Sequence, residues 1–227
     1  MKKVAIVSGS GGNLGKEVAN KLAANGYQVI GTRSPREAAS AHENQASTIV
    51  DLTVEAETAA YVAELIAAYK AIDVAVLTVG GYAAGDIEAT STTAITGQVR
   101  LNFETAYNLA RPIFLQMLKQ GSGRIFLVGS RPALEPMAGK NMVAYSLAKG
   151  LIFQLAELMN AESKGKDVVT TVLVPGTIDT PANRASMPGA DTSKWVTTAE
   201  IAETILFYCS PTANAISKPV VKFFKNA

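Results

Sequence analysis

Tyr145 and Lys149 are the two side chains whose types and spacing most directly indicate chemistry. They stand four residues apart in the segment AYSLAKG, residues 144–150. Four residues make about one helical turn, so in a helix the phenol and the ammonium lie on one face. A free phenol has a pKa of about 10, and a neighbouring positive charge favours the phenolate, which lowers that pKa. The pair predicts a tyrosine that exchanges a proton with a substrate, although the same spacing also arises by chance.

A glycine-rich loop follows the first apolar run of the chain. The segment SGSGGNLG, Ser8 to Gly15, has four glycines in eight residues and leads directly into a helical pattern. Glycines let backbone N–H groups approach a ligand closely, and the N-terminus of the next helix adds partial positive charge. The loop is typical of a site for the pyrophosphate of a dinucleotide, the alternative being a plain strand–helix turn.

Short β-rich runs alternate along the chain with longer helical stretches. Runs such as VAIV and VAVL are continuously apolar, as expected of parallel strands that are covered on both faces. This alternation predicts an α/β fold, namely a Rossmann-type, doubly wound parallel sheet with helices on both faces. We expect a single domain over residues 1–227, because no repeat, low-complexity tract or linker divides the chain.

The helix predicted over residues 143–163 is apolar around most of its circumference. Tyr145 and Lys149 share a stripe with apolar residues, and four leucines form a nearly opposite stripe: Leu147, Leu151, Leu155 and Leu158. A helix of this kind is buried on two sides, so one side is expected on the sheet and the other against a second subunit. Lysines are rarely buried without a partner, which favours a functional role for Lys149.

Composition limits the class of protein. The chain has 227 residues, of which 48% are hydrophobic and 18% charged, and its formal net charge is +2. The hydrophobic and charged fractions exclude a disordered chain. The small net charge gives no strongly positive surface of the kind that binds nucleic acid. The single cysteine, Cys209, excludes an internal disulfide and a cysteine-rich metal site, and no metal is predicted. The first apolar run is too short for a signal peptide and no run is long enough for a membrane span, so we expect a cytoplasmic protein without membrane partners.

The glycine loop and the tyrosine–lysine pair together resemble the motifs of the short-chain dehydrogenase/reductase family. The loop is closest to T-G-x-x-x-G-x-G, with Ser8 in place of threonine, Gly9 and Gly15 matching, and Asn13 at the middle glycine. The tyrosine–lysine pair matches Y-x-x-x-K. Further matches are the serine that ends GRIFLVGS, the asparagine of VRLNFETAYNLARP, and the segment VPGTIDT. The resemblance covers nearly the whole chain and implies a nicotinamide-dependent reductase.

The resemblance implies a catalytic set of four residues, Ser130, Tyr145, Lys149 and Asn102. In this family pattern, Tyr145 exchanges a proton with the substrate oxygen while the nicotinamide transfers hydride. Ser130 hydrogen-bonds the same oxygen, and Lys149 also holds the nicotinamide ribose. Asn102 anchors a water that links Lys149 to solvent.

The same resemblance implies a set of cofactor contacts spread over the loops that follow the strands. Two departures are Asn13 in the glycine loop and the segment TVGG, Thr78 to Gly81, where the family has N-A-G. The expected contacts are Gly9, Ser10, Gly11, Asn13, Leu14, Gly15, Thr32, Arg33, Asp51, Leu52, Val79, Gly80, Gly81, Tyr145, Lys149, Pro175, Gly176, Thr177, Ile178 and Thr180.

The end of the second strand, VIGTRSPRE, bears on which dinucleotide binds. NAD-selective sites usually have an acidic residue here that accepts a hydrogen bond from the ribose 2′-hydroxyl. This chain has Thr32 and Arg33 instead, with Arg36 three residues further on. An arginine binds a 2′-phosphate well but cannot accept from a hydroxyl. NADP(H) is therefore predicted, and NAD(H) is disfavoured.

Two distant segments resemble the dihydropteridine reductase branch of the family. They are VGGYAAG at residues 79–85 and VLVPGTIDTPANRASMPGADTSKW at residues 172–195. The resemblance implies a substrate site in which Tyr82 offers an aromatic wall to a flat heterocycle and Asn183 and Arg184 offer polar groups at the rim. The chain departs from the animal enzymes of that branch in lacking the acidic residue after the second strand and in possessing Ser130.

These features predict an NADPH-dependent reductase of a small molecule, quinonoid dihydropterin, assembled as a homodimer or homotetramer. A general NADPH-dependent carbonyl or 3-oxoacyl reductase is the alternative, which explains the catalytic set but not the match at residues 172–195. A non-catalytic dinucleotide-sensing protein explains the glycine loop, but such proteins tend to lose the tyrosine–lysine pair.

Overall fold

Apolar segments separated by helices form a parallel sheet in the computed structural model, which describes residues 2–35, 47–217 and 219–225. The elements in the first half of the chain are β1 Val4–Ser8, α1 Asn13–Ala24, β2 Gln28–Arg33, β3 Ser47–Ile49, α2 Glu55–Tyr69, β4 Val74–Leu77, α3 Thr92–Val99, α4 Thr105–Gln120 and β5 Ser122–Val128. A π-helical turn, Arg100–Glu104, joins α3 to α4.

The second half contains the longest helix and the edge strand. Its elements are α5 Arg131–Leu134, α6 Pro136–Gly139, α7 Val143–Glu162, β6 Asp167–Pro175, β7 Ile178–Asp179, α8 Pro181–Ser186, β8 Val196–Thr197, α9 Thr198–Tyr208 and β9 Val220–Phe223. Strands β7 and β8 pair with each other outside the main sheet.

The main sheet has seven strands in the order β3-β2-β1-β4-β5-β6-β9, and every pairing is parallel. The chain moves outwards from β1 to β3, then returns to place β4 on the other side of β1. Open sheets of this kind bind ligands where the strand order reverses, outside the carboxyl ends of the strands. The predicted doubly wound α/β fold is confirmed, and the expected ligand site lies between β1 and β4.

Two apolar clusters cover the two faces of the sheet. One contains Leu109 and Ile113 of α4 with Ile152 of α7, and the other contains Leu22 of α1 with Ile201 of α9. Continuous apolar strands such as β1 and β4, buried along their whole length, supply side chains to both clusters. The sheet is therefore a rigid base for the loops at its carboxyl edge.

Helix α7 has two different faces. Ile152 and Ala156 are buried against the sheet, together with Leu155, which belongs to the leucine stripe expected nearly opposite Tyr145. Leu147, Leu151 and Leu158 are exposed. No helix among the described residues is both long and apolar enough to cross a membrane.

Candidate active site

Lys149 and Asn102 approach each other at Gly80. A β-carbon built on Gly80 would lie 2.6 Å from Asn102 Oδ1 and 3.1 Å from Lys149 Nζ, so any larger residue there would displace both side chains. Lys149 is only 4% exposed, and its Nζ donates a hydrogen bond to Val128 O at 2.8 Å, at the end of β5. Burial lowers the pKa of Lys149 from 10.5 to about 8. The site thus contains a lysine that is poised to lose its proton slightly above neutral pH.

Tyr145 lies in the first turn of α7, beside Ser130 and Tyr82. The rings of Tyr82 and Tyr145 meet edge to face, with 5.7 Å between centroids and 66° between planes. Burial raises the pKa of Tyr145 above 10.0; the nearby hydroxyl of Ser130 opposes this by favouring the phenolate, and Tyr82 raises the pKa further. The expectation that a neighbouring ammonium lowers this pKa is wrong for the described structure, because burial outweighs the other effects and Lys149 contributes none of them.

Ser130 precedes α5 and is itself buried. Its hydroxyl approaches Tyr145 closely enough to favour the phenolate, yet its Oγ makes no well-formed hydrogen bond within the described residues. A buried hydroxyl of this kind costs free energy unless a partner arrives. The geometry can therefore accommodate a polar substrate atom between Ser130 and Tyr145.

Asn102 occupies the π-helical turn between α3 and α4. Its side chain is 1% exposed. Its Nδ2 donates to Gly81 O at 2.9 Å and to the side chain of Gln98 at 3.0 Å, and its Oδ1 accepts from Gly81 N at 3.0 Å. Single π-helical turns often occur at functional sites. Here the turn directs the amide of Asn102 onto the loop after β4, so the bridging water expected at this residue stays a prediction.

The glycine loop after β1 is closely packed. Gly9 has a φ of +63°, and a β-carbon on Gly15 would lie 2.2 Å from Gly9 O. Both positions therefore require glycine. Within the described residues no side chain caps the N-terminus of α1, and the first residues of α1 line a cleft. This arrangement leaves backbone N–H groups and the positive end of the helix dipole for an anion.

The cleft has a volume of about 760 Å³ and runs along the carboxyl ends of the strands around β1. Ten of the expected cofactor residues line it: Gly9, Asn13, Leu14, Gly15, Thr32, Arg33, Asp51, Leu52, Val79 and Gly80. The cleft has the concave form and size of a site for a nucleotide. Its position agrees with the switch point between β1 and β4.

Other expected cofactor residues do not line the cleft. Ser10 is buried, and its hydroxyl donates to Thr32 O at 3.3 Å. Gly11 faces Arg33, since a β-carbon there would lie 3.2 Å from Arg33 Nε. The rest belong to the loop after β4, to α7, or to the end of β6 and the segment that follows it: Gly81, Tyr145, Lys149, Pro175, Gly176, Thr177, Ile178 and Thr180. Arg36 lies outside the described residues.

Several residues that line the cleft are not among the cofactor contacts expected from the sequence. Thr78 is one of them, and its Oγ1 donates to Ser8 O at 2.6 Å while its N–H donates to Ser8 Oγ at 3.0 Å. Arg100 and Leu101 also line the cleft, immediately before Asn102. Thr78 begins the segment TVGG, and Arg100 and Leu101 directly precede Asn102. This closeness in sequence to expected site residues was the signal that could have found them. No group of three or more histidine, cysteine or acidic side chains suited to a metal ion exists within the part of the chain that the structure describes.

The loop after β6 is fixed by backbone hydrogen bonds. Gly176 N donates to Phe223 O at 3.1 Å, and Val196 N donates to Thr177 O at 3.0 Å. Thr180 caps α8 by accepting a hydrogen bond from Asn183 N. The pairings with β9 and β8 hold this loop at the carboxyl edge of the sheet.

The two polar residues expected at the substrate rim are engaged locally. Asn183 Nδ2 donates to Ile178 O at 2.8 Å. The guanidinium of Arg184 makes two hydrogen bonds to the carboxylate of Asp179, at 2.6 and 2.8 Å. Both side chains therefore stabilise the segment that follows β6, and their contact with substrate stays a prediction. Tyr82, by contrast, is 65% exposed beside Tyr145 and is not part of the core.

Comparison with known proteins shows the family. Residues 3–190 match the short chain dehydrogenase family. An acetoacetyl-CoA reductase of Acinetobacter sp. (strain RA3849) is 28% identical, over 79% of this chain and 76% of that protein. A dihydropteridine reductase of Dictyostelium discoideum is 27% identical, over 98% of this chain and 95% of that protein. The structure titled "ElxO with NADP Bound" has the same fold, with a TM-score of 0.88, 21% identity, and coverage of 98% of this chain and 97% of that one.

The parallel sheet, the cleft at its switch point and the serine, tyrosine and lysine beside it define a dinucleotide-dependent oxidoreductase. The chain belongs to the short-chain dehydrogenase/reductase family and is an NAD(P)H-dependent enzyme.

Proposed function

We propose that this chain is an NADPH-dependent reductase of quinonoid dihydropterin. The observation that carries the proposal is the exposed ring of Tyr82, which lies edge to face against Tyr145 at 5.7 Å. A flat heterocycle that brings its acceptor atom to Tyr145 can place its face against this ring. The similarity to a dihydropteridine reductase over nearly the full length of both chains supports the same substrate class.

The described residues fit a bound dinucleotide. Glycine is required at Gly9, Gly15 and Gly80, where a side chain would occupy the space of the loop or of the catalytic groups. We propose that the loop and the N-terminus of α1 bind the pyrophosphate, that Arg33 binds the 2′-phosphate of NADPH, and that Lys149 holds the nicotinamide ribose. When bound, the nicotinamide supplies the hydride.

The chain itself supplies the proton and the orientation of the substrate. Tyr145, whose pKa burial raises further above neutral pH, donates its hydroxyl proton to the reduced atom. Ser130, whose Oγ lacks a well-formed hydrogen bond among the described residues, donates a hydrogen bond to that atom or its neighbour. After Tyr145 has given up its proton, Lys149, which has a pKa of about 8, supplies the proton that restores the tyrosine hydroxyl. One hydride and one proton complete a two-electron reduction.

An NADPH-oxidation assay with a panel of substrates tests the proposal. The panel contains quinonoid dihydropterin, simple ketones and 3-oxoacyl thioesters. We expect the highest kcat/KM with quinonoid dihydropterin. Turnover of ketones or thioesters without any turnover of the pterin would contradict the proposal. The ring of Tyr82 would then not bind a pterin ring for reduction.

A general carbonyl or 3-oxoacyl reductase is the second candidate. The specific observation in its favour is Ser130, which completes the set of polar groups that a ketone needs during reduction. The similarity to an acetoacetyl-CoA reductase adds to it. In the panel assay this candidate predicts the highest kcat/KM with a 3-oxoacyl thioester.

Replacing Arg33 with Ala is expected to weaken NADPH binding far more than NADH binding. Arg33 lines the cleft at the end of β2 and lies against Gly11. Losing a charged hydrogen bond to a phosphate costs about 1.5–3 kcal/mol, which is roughly a 10- to 150-fold rise in Kd. Titration of each cofactor by calorimetry measures the difference.

The matched control for this prediction is Arg111→Ala, which removes an exposed arginine of α4 that is paired with Glu55 and does not line the cleft. This variant should leave both dissociation constants unchanged. An equal loss of NADPH and NADH affinity in the Arg33 variant would show that Arg33 does not bind the 2′-phosphate.

We also propose that a second copy of the chain covers the outer face of α7, giving a homodimer or homotetramer. Leu147, Leu151 and Leu158 are exposed there in a single chain. Three leucines on one face of a helix form an apolar patch of the kind that subunit interfaces bury.

A further inference from the structure

The loop that carries Tyr82 is attached at one end to the catalytic asparagine. Gly81 N donates to Asn102 Oδ1 at 3.0 Å, and Gly81 O accepts from Asn102 Nδ2 at 2.9 Å. A buried side-chain amide that bonds both the N–H and the C=O of one residue fixes the backbone of that residue in position and orientation. Gly81, the residue directly before Tyr82, is therefore held in place by the side chain of Asn102.

The other end of this loop is attached to the start of the catalytic helix. Gly85 pairs with Met142 in a short parallel bridge. Gly85 N donates to Asn141 O at 2.8 Å, and Gly85 O accepts from Val143 N at 2.8 Å. Val143 is the first residue of α7, and Tyr145 follows two residues later. Tyr82 and Tyr145 are thus held by two segments that are hydrogen-bonded to each other.

Gly85 can form this bridge only because it is glycine. Its φ is +149°, a backbone conformation that residues with side chains rarely adopt. A β-carbon there would also lie 2.9 Å from Thr90 Oγ1, whose hydroxyl donates to Asp86 O at 2.5 Å. A larger residue at this position would have to change the backbone, shift Thr90, or break the bridge to Asn141 and Val143.

We propose that Gly85 is a positioning residue for substrate specificity. By holding the loop in its bridged conformation, it keeps the ring of Tyr82 at a fixed place beside Tyr145. We call this ring surface the shelf, and it suits substrates with a flat conjugated ring. The inference rests on the proposed function in that it takes Tyr82 as a substrate contact. It assigns the selectivity to a glycine that is not among the residues lining the cofactor cleft. Fixing the shelf in advance removes the entropy cost of ordering it when the substrate binds.

A double-mutant cycle between Gly85→Ala and Tyr82→Ala tests the inference. For the best substrate of the panel, Gly85→Ala should raise KM by about tenfold in the wild-type background, because a strained backbone position shifts the shelf. It should have little further effect in the Tyr82→Ala background, and it should leave the Kd for NADPH unchanged. An equal rise in both backgrounds, or no rise, would overturn the inference.

The control variant is Gly26→Ala, because Gly26 also has a positive φ, +86°, but no atom of the residues that the structure describes would lie within 4 Å of its β-carbon. It lies between α1 and β2, far from the carboxyl edge of the sheet, so it reports the cost of backbone strain alone. Its KM should equal that of the wild type. This comparison separates a shifted shelf from general loss of stability.

Amide hydrogen exchange provides a readout that does not depend on any substrate. The N–H groups of Gly85 and Val143 should exchange slowly in the wild type and about tenfold or more faster in Gly85→Ala, while the other amides of α7 keep their protection. Unchanged protection at both amides would overturn the inference. If the pterin is not a substrate but the cycle with a ketone that carries a flat aromatic ring still shows coupling, the pterin proposal fails and the positioning role of Gly85 is upheld.

Discussion

Tyr145→Phe should lose most ketone reduction, with kcat falling by about 10²- to 10⁴-fold, because the substitution removes only the proton donor. The affinity for NADPH should be unchanged. The aromatic ring keeps its contact with Tyr82, and Lys149 keeps its hydrogen bond to Val128 O. Measuring kcat with a ketone and the Kd of NADPH by titration distinguishes the two effects.

The same variant should retain part of its activity with quinonoid dihydropterin. This substrate already has a conjugated, electron-poor ring and needs less acid catalysis than a ketone. The control is Tyr107→Phe, which removes the hydroxyl of an exposed tyrosine stacked on Phe103 of the π-helical turn. Full ketone turnover in the Tyr145 variant would show that another group donates the proton.

The strands and the helix α7 could be predicted because their signals are local. Continuous apolar runs such as β1 and β4 have to be buried on both faces, and the structure places them at the centre of the sheet. The π-helical turn at Arg100–Glu104 could not be predicted, because it depends on the contact between Asn102 and the backbone of Gly81, 21 residues away.

The sequence predicts which types of residue form the site, but it does not predict their pKa shifts. A charge partner for Tyr145 could be inferred from spacing, but the balance between that partner and burial depends on the packing around the phenol. Burial dominates, so the pKa of Tyr145 rises. The hydrogen bonds from Asn183 to Ile178 O and from Arg184 to Asp179 could likewise not be predicted from the sequence, since they depend on how the chain turns after β6.

Lys149→Met is expected to remove most activity and yet raise the stability of the fold at neutral pH. The variant loses the proposed contact with the ribose and the supply of protons, so kcat/KM should fall by about 10²-fold or more. Burial lowers the pKa of Lys149 from 10.5 to about 8, which corresponds to about 3 kcal/mol against folding while the lysine is charged. The unpaired Val128 O left by methionine costs about 1 kcal/mol, so the net gain is about 2 kcal/mol.

The pH dependence of stability gives the sign of this effect. Because the folded state has the lower pKa, the unfolded chain binds more protons between pH 8 and 10.5, and the wild type should become more stable as the pH rises through that range. Below the folded pKa the full penalty is present. The Lys149→Met variant should lose this rise, whereas Lys164→Met, which changes an exposed lysine just beyond α7, should keep it.

Denaturant unfolding at pH 7 and pH 9.5 measures the free energies for the three proteins. The expected order at pH 7 places Lys149→Met above the wild type, with the difference shrinking at pH 9.5 as the wild-type lysine loses its proton. A lower stability of Lys149→Met at pH 7 would mean that the buried ammonium stabilises the fold. The lysine would then be structural, and its loss of activity could not be assigned to chemistry. A more stable but inactive variant would show that this buried charge is kept for function at the expense of stability.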